Sequence, residues 1–223
     1  MFRDRREAGA VLATRLPDFA HNPDVVVLAL PRGGVPVAEQ VARALDAPLD
    51  IFLVRKIGLP QHEEFAIGAL ASGGLGILDR SAARRYGVSE EAIADAVKRE
   101  WRELDRRETV YRGGEPPLDV RGKTVILVDD GLATGSSMRA AILALRRLEP
   151  ARIVVAVPVA PAATCRDLES VADRVVCTET PEPFQAVGVW YDDFEQTTDR
   201  EVRDSLAAAR ARRSARPAER REP

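Results

Sequence analysis

Histidine, cysteine, methionine and tryptophan each occur only twice in the 223 residues, and aromatic residues make up 5% of the chain. His21 and His62 stand far apart and form no metal-ligand pattern. Cys165 and Cys177 are the only cysteines, and neither sits in a C-x-x-C pair. Two buried thiols in a cytoplasmic protein are expected, with a disulfide the less favoured state. No apolar run is long enough to span a bilayer, and Met1-Phe2-Arg3-Asp4-Arg5-Arg6-Glu7 lacks the apolar stretch of a signal peptide. Neither sign of charge dominates. The formal net charge of −2 offers no global attraction to nucleic acid or an anionic membrane. The remainder, 45% hydrophobic and 30% charged, suits one cored domain or at most two small ones.

The richest stretch runs from Thr124 to Met138. Its apolar opening, Thr124 to Val128, reads as a strand buried on both faces. Asp129 and Asp130 end the strand, and a loop of small residues, Gly131-Leu132-Ala133-Thr134-Gly135-Ser136-Ser137, follows. Apolar residues then recur at Met138, Ala141, Ile142, Leu145 and Leu148, the spacing of one helical face. Backbone N–H groups at a helix start attract phosphate, and Gly131 and Gly135 let the chain curl so that several of them face one point. Thr134, Ser136 and Ser137 add hydroxyl donors. Two carboxylates would repel a bare phosphate, so they need another task. Adjacent strand residues point to opposite faces; one carboxylate is expected to accept from sugar hydroxyls, the other to face a magnesium shell or a structural partner. The alternative is a tight strand-to-helix turn with an aspartate cap.

Val-Asp-Asp-Gly-Leu-Ala-Thr-Gly-Ser-Ser-Met (128–138) resembles the phosphoribosyl-diphosphate (PRPP) signature of the type I phosphoribosyltransferases, in its adenine-type spelling. Ser136 and Ser137 stand where that spelling has Gly and Thr. The resemblance implies a Rossmann-like α/β fold, a mostly parallel sheet flanked by helices. It also implies that residues 131–137 hold the 5′-phosphate and that Asp129 and Asp130 hold the ribose, with Mg²⁺ bound mostly indirectly through PRPP and water. At the position where hypoxanthine-type relatives carry a carboxylate base, this chain has Ala133.

Along the rest of the chain, Arg3–Leu16 reads as an amphipathic helix and Val25–Leu30 as a second buried strand. Pro31-Arg32-Gly33-Gly34-Val35-Pro36 follows, then a helix over 37–45. Taken alone this glycine loop reads as a turn; in the family it binds pyrophosphate, which assigns Arg32, Gly33 and Gly34 to that group. Residues 51–54 read as a third strand ending in Arg55-Lys56, where open α/β sheets bind ligands; ordinary solvent-exposed charge is the other reading. Adenine-type enzymes carry a similar Arg-Lys segment, which implies catalytic roles for Arg55 and Lys56 and a mobile loop over 61–65. Here the segment is one residue shorter and lacks a second lysine. Residues 66–71 and 75–78 read as a β-hairpin. From 81 to 111 the pattern is helical, with a capped start at Ser89 and a packed face of Ile93, Val97, Trp101 and Leu104. This segment, about 79–112, reads as a helical insertion or a dimer contact.

Residues 153–159, 161–171 and 174–177 read as strand, helix and strand. Residues 184–194 gather aromatics with two carboxylates, as an acceptor hood or as packing under the last helix. A loose likeness to the hypoxanthine-type hood makes Trp190, Tyr191 and Asp193 acceptor candidates. A final helix starts at Thr197 or Thr198 and runs through Ala209, and the basic, alanine-rich end, 206–223 at its widest, is expected to be disordered.

The reading is one domain over 1–205, with a core at about 25–178 and a hood at about 180–205. The resemblance implies transfer of phosphoribosyl from PRPP to a nitrogen acceptor, a nucleobase in the first instance as in purine salvage, by a homodimer; the charge balance and the short apolar runs give the expectation of a cytoplasmic protein that binds neither nucleic acid nor membrane. A non-catalytic PRPP or nucleotide sensor is the alternative; a hydrolase of phosphorylated sugars would need a clearer metal or nucleophile cluster.

Overall fold

The computed structural model describes residues 1–59 and 62–215. In chain order the elements are α1 (Arg5–Ala13), β1 (Val25–Ala29), α2 (Gly34–Leu45), β2 (Leu49–Ile51), β3 (Val54–Leu59), β4 (His62–Ala71), β5 (Leu75–Leu78), α3 (Arg80–Arg85), α4 (Glu90–Arg112), β6 (Thr124–Val128), α5 (Ser136–Arg146), β7 (Arg152–Val159), α6 (Ala162–Glu169), β8 (Arg174–Glu179) and α7 (Asp199–Ser214). Five strands form a wholly parallel sheet in the order β2-β1-β6-β7-β8. Alternate residues of its apolar strands enter two separate cores. Val25, Val27 and Ala29 pack with α1, α2 and α7, whereas Val26 and Leu28 pack with Met138, Ile142 and Leu145 of α5 and Leu168 of α6. Burial on both faces is why these strands carry no polar alternation. The fold is the expected α/β sandwich.

The third strand of the sequence reading divides. Leu49–Ile51 closes the parallel sheet, and Val54–Leu59 opens a second, antiparallel sheet in the order β3-β4-β5. The crossing is held by Leu53 N–H to Ser72 Oγ at 2.9 Å and by Ser72 N–H back to the Leu53 carbonyl at 2.9 Å. Backbone pairing between Leu59 and His62 makes residues 62–65 part of a strand, where a mobile loop was expected. Pro60 and Gln61 lie outside the described residues. The helical segment 81–111 is broken at Gly87 (φ +66°) into α3 and α4, and Ser89 Oγ caps α4 by accepting from Ala92 N–H.

Two further expectations are corrected. Residues 206–214 belong to α7, which starts from a capping box at Thr198 and Glu201 and buries Val202 and Leu206; its Arg210 donates to the Arg112 carbonyl at 3.0 Å. Those apolar positions recur at helical spacing inside a basic sequence, which masks them. Residues 216–223 lie outside the described residues. Cys165 of α6 and Cys177 of β8 are disulfide-bonded, because α6 packs back along the strand it precedes. Among the described residues no helix is long and apolar enough to cross a membrane.

Candidate active site

In a parallel sheet the carboxyl ends of all strands face one edge, so the loops after β1, β6 and β7 converge. Leu30 N–H donates to the Val128 carbonyl at 2.8 Å, and this locks the turn after β1 beside the acidic pair after β6. The two turns then approach more closely than a side chain would permit. A Cβ on Gly33 would collide with Asp130 Oδ2 and lie 2.6 Å from its Cγ; one on Gly34 would lie 2.8 Å from both Asp129 Cα and the Val128 carbonyl oxygen. Glycines at 33 and 34 therefore permit the contact between the candidate pyrophosphate loop and the candidate ribose carboxylates.

The loop from Gly131 to Ser137 divides into buried anchors and exposed groups. Gly131 is walled in by Val187 and Val159, and Leu132 is buried with its N–H given to the Val159 carbonyl at 3.0 Å. These two residues hold the loop and face the interior. Ala133, Thr134, Ser136 and Ser137 are exposed at the start of α5, with Thr134 Oγ1 and Ser136 Oγ 3.2 Å apart. Gly135 takes φ +69° as the N-cap of α5. Behind the loop, Thr164 of α6 donates to the Ala133 carbonyl at 2.7 Å, and its methyl fills the space a Cβ on Gly135 would need.

The acidic pair is electrostatically loaded. Burial, followed by the charge of Asp130, raises the Asp129 pKa well above the ordinary aspartate range. Burial also raises that of Asp130, opposed by Arg5, whose Nε donates to Asp130 Oδ2 at 2.7 Å. Asp129 Oδ1 accepts from Asp130 N–H at 2.9 Å. Among the described residues no group of three or more histidine, cysteine, aspartate or glutamate side chains could hold a metal. A magnesium ion beside Asp129 and Asp130 would therefore need the donor's own oxygens to complete its shell.

The candidate cations are placed unlike the sequence reading. Arg55 and Lys56 lie on β3 of the second sheet, and as neighbours on a strand they point to opposite faces. Arg55 is paired with Glu100 of α4 at 2.7 Å, and Lys56 is exposed. Arg32 reaches Asp199 at the start of α7 (3.4 Å), and the Tyr111 hydroxyl donates to the same carboxylate oxygen at 2.9 Å. Burial and that aspartate raise the Tyr111 pKa.

The hood is composite. Phe2 bridges Tyr191 in parallel, with Phe2 N–H to the Trp190 carbonyl at 2.8 Å and Asp192 N–H to the Phe2 carbonyl at 2.9 Å. Tyr191 is buried against Phe2, and its hydroxyl donates to the Asp130 carbonyl. It is thus part of the scaffold under the acidic pair, where an acceptor-facing side chain was expected, and burial raises its pKa strongly. Asp193 accepts from Glu195 N–H within a local turn (3.0 Å). Trp190 is half-buried, and its indole N–H is buried without a hydrogen-bond partner among the described residues. Phe194 and Val189 present the exposed apolar surface of the hood.

Arg5, Phe2, Tyr111, Thr164 and Asp199 are given no site role by the sequence. Only Arg5 carried a local signal: a cation in the first turn of a helix, where the dipole favours an acid.

The sequence profile of the phosphoribosyl transferase domain family matches residues 6–193. Rv0571c of Mycobacterium tuberculosis (strain ATCC 25618 / H37Rv), provisionally named a phosphoribosyl transferase, is 41% identical over 202 residues. That match takes in 91% of this chain and 45% of the relative, so the chain spans about half the length of such curated relatives. The crystal structure of TT1426 from Thermus thermophilus superposes with a TM-score of 0.82 at 42% identity, covering 93% of this chain and 98% of that one. AQ2163 from Aquifex aeolicus shares the fold alone, with a TM-score of 0.51 at 11% identity over 92% of this chain and 85% of its own. With a family profile over most of its length and a strand-loop-helix edge to match, the chain belongs to the type I phosphoribosyl transferase family.

Proposed function

We propose that the protein transfers the 5-phosphoribosyl group of PRPP to a nitrogen acceptor, a nucleobase in the first instance, and releases pyrophosphate. The observation that carries this reading is the fit of Gly33 and Gly34 against Asp129 and Asp130, beside the exposed hydroxyls and N–H groups at the start of α5. Donors for a terminal phosphate, acceptors for sugar hydroxyls and a glycine turn for a second anion then lie along one edge in the order that PRPP carries those groups.

In the reaction the acceptor's nitrogen lone pair forms a bond to C1′ while the C1′–O bond to pyrophosphate breaks, and the acceptor's proton leaves to solvent or a base. Positive charge gathers at C1′ and negative charge on the leaving group, so the protein contributes positioning and electrostatics. Ala133, Thr134, Ser136 and Ser137 hold the 5′-phosphate, and Asp129 and Asp130 accept from the ribose hydroxyls. Arg32 and the Gly33-Gly34 turn receive pyrophosphate, with Arg55 or Lys56 as the cation from the second sheet. Bound Mg²⁺ would offset the charge of the leaving pyrophosphate. Phe194 and Val189 offer the flat apolar surface for an acceptor ring, with Trp190 beside them.

The second reading is a sensor that binds PRPP or a nucleotide without turnover. It is favoured by the pairing of Arg32 with Asp199 and of Arg55 with Glu100. Calorimetric titration with PRPP and Mg²⁺, followed by a pyrophosphate-release screen over nucleobases, separates the two. Binding with release for one base establishes the transferase, binding without release for any base supports the sensor, and no binding overturns both.

A further inference from the structure

Arg5 opens α1 and sits at the positive end of the helix dipole, where an acid would be favoured. Its side chain is nevertheless 11% exposed and is held from several sides. Nε donates to Asp130 Oδ2 and Nη1 to the Glu195 carbonyl, each at 2.7 Å, while the guanidinium carbon lies 3.9 Å from the Phe194 ring centroid and 6.0 Å from that of Tyr191. The backbone around it is stitched to the hood, with Asp193 N–H donating to the Arg3 carbonyl at 2.9 Å. A cation in an unfavourable helical position, mostly covered and committed to one carboxylate, marks a site where local preference yields to another demand.

That demand is the placing of one carboxylate. We propose that Arg5 is a positioning residue for the sugar half of the donor: it fixes the Asp130 carboxylate between the loop after β1 and the hood, where that carboxylate accepts from a ribose hydroxyl. The planar guanidinium serves both contacts at once, its edge on the carboxylate and its face on Phe194; a lysine ammonium has no flat face. The proposal rests on the donor reading above and extends it to the N-terminal helix. Its consequence is selective by ligand. Loss of Arg5 weakens ligands that bear ribose hydroxyls and spares inorganic phosphate, which needs only the loop at the start of α5.

The test is calorimetric binding of ribose 5-phosphate and of inorganic phosphate to the wild-type chain, Arg5→Gln and Arg5→Lys, with thermal melts to confirm folding. Arg5→Gln is expected to bind ribose 5-phosphate about tenfold more weakly, the worth of one charge-assisted hydrogen bond. Arg5→Lys is expected to recover part of that loss, and all three are expected to bind phosphate within about twofold of one another. Unchanged ribose 5-phosphate binding in Arg5→Gln overturns the proposal, as does an equal loss for both ligands. If Arg5→Gln does not fold, Arg5→Lys decides, and wild-type affinity for ribose 5-phosphate in that variant overturns the proposal. A wild-type chain that binds phosphate but neither ribose 5-phosphate nor PRPP removes the donor reading itself, an outcome distinct from the others.

Discussion

Replacing Gly33 with alanine puts a methyl group where the Asp130 carboxylate lies, and the three nearest atoms it would meet are Asp130 Oδ2, Cγ and Oδ1. The Cγ separation of 2.6 Å is about 1 Å or more inside ordinary carbon–carbon contact at ~3.5–4.0 Å. The backbone at Gly33 is already right-handed helical (φ −58°), so alanine brings no conformational strain. The side chain of Asp130 cannot swing away freely, because Arg5 holds its Oδ2. An overpacked site of this kind costs ~1–3 kcal/mol, which for a chain of this length lowers Tm by ~2–12 °C. The decisive assay is a double-mutant cycle by urea and thermal unfolding. Asp130→Ala removes all three of these atoms, so Gly33→Ala in that background is expected to cost within ~0.5 kcal/mol of nothing. The coupling energy then equals nearly the whole single-mutant cost. The cost of Asp130→Ala itself cancels from the cycle. A Gly33→Ala penalty of equal size in both backgrounds would refute the contact between the two loops, and the site assembled from it.

Asp129→Asn is expected to stabilise the ligand-free protein while weakening PRPP binding. Burial and the charge of Asp130 make the folded chain hold the Asp129 proton more tightly than an unfolded chain does. This group's contribution is therefore full below the ordinary aspartate range and is lost as pH rises through the elevated folded value. The variant's Tm advantage should then grow as pH rises above the ordinary aspartate range, at ~2–4 °C per kcal/mol; an advantage that shrinks with pH contradicts the assignment. Glu100→Gln releases Arg55 from its partner and is expected to raise pyrophosphate affinity by about 1.4- to 5-fold, the worth of a partly exposed ion pair. Unchanged affinity in competition titrations would remove Arg55 from the pyrophosphate site. The Cys165–Cys177 bridge closes a loop of sequence separation 12, for which chain entropy gives ~3 kcal/mol. Reduction is expected to lower Tm by ~6–12 °C in scanning calorimetry; identical melts with and without a phosphine reductant would argue against the bond in solution.

The chain by itself determined the parts whose signals are local. Val25–Ala29 and Thr124–Val128 are apolar throughout because a parallel strand is covered on both faces, and no partner need be known to read that. The acidic pair and the glycine turns at 33–34 and 131–137 were legible for the same reason: backbone approach and helix-end geometry are written in consecutive residues. Which of those residues act as anchors was not legible. Leu132 and Gly131 face the interior because Val159 and Val187, from elsewhere in the chain, close over them. Arg55-Lys56 looked like the end of a core strand because two residues, 52 and 53, carry the chain from one sheet to the other, and that crossing depends on Ser72. Arg5 lies 125 positions from Asp130 in sequence, and Arg32 lies 167 from Asp199. No periodicity or motif links such pairs. Tertiary structure alone decided that the N-terminal helix and the hood close on the acidic pair, because only the packing of α1 on α2 and the pairing of Phe2 with Tyr191 bring that guanidinium to that carboxylate.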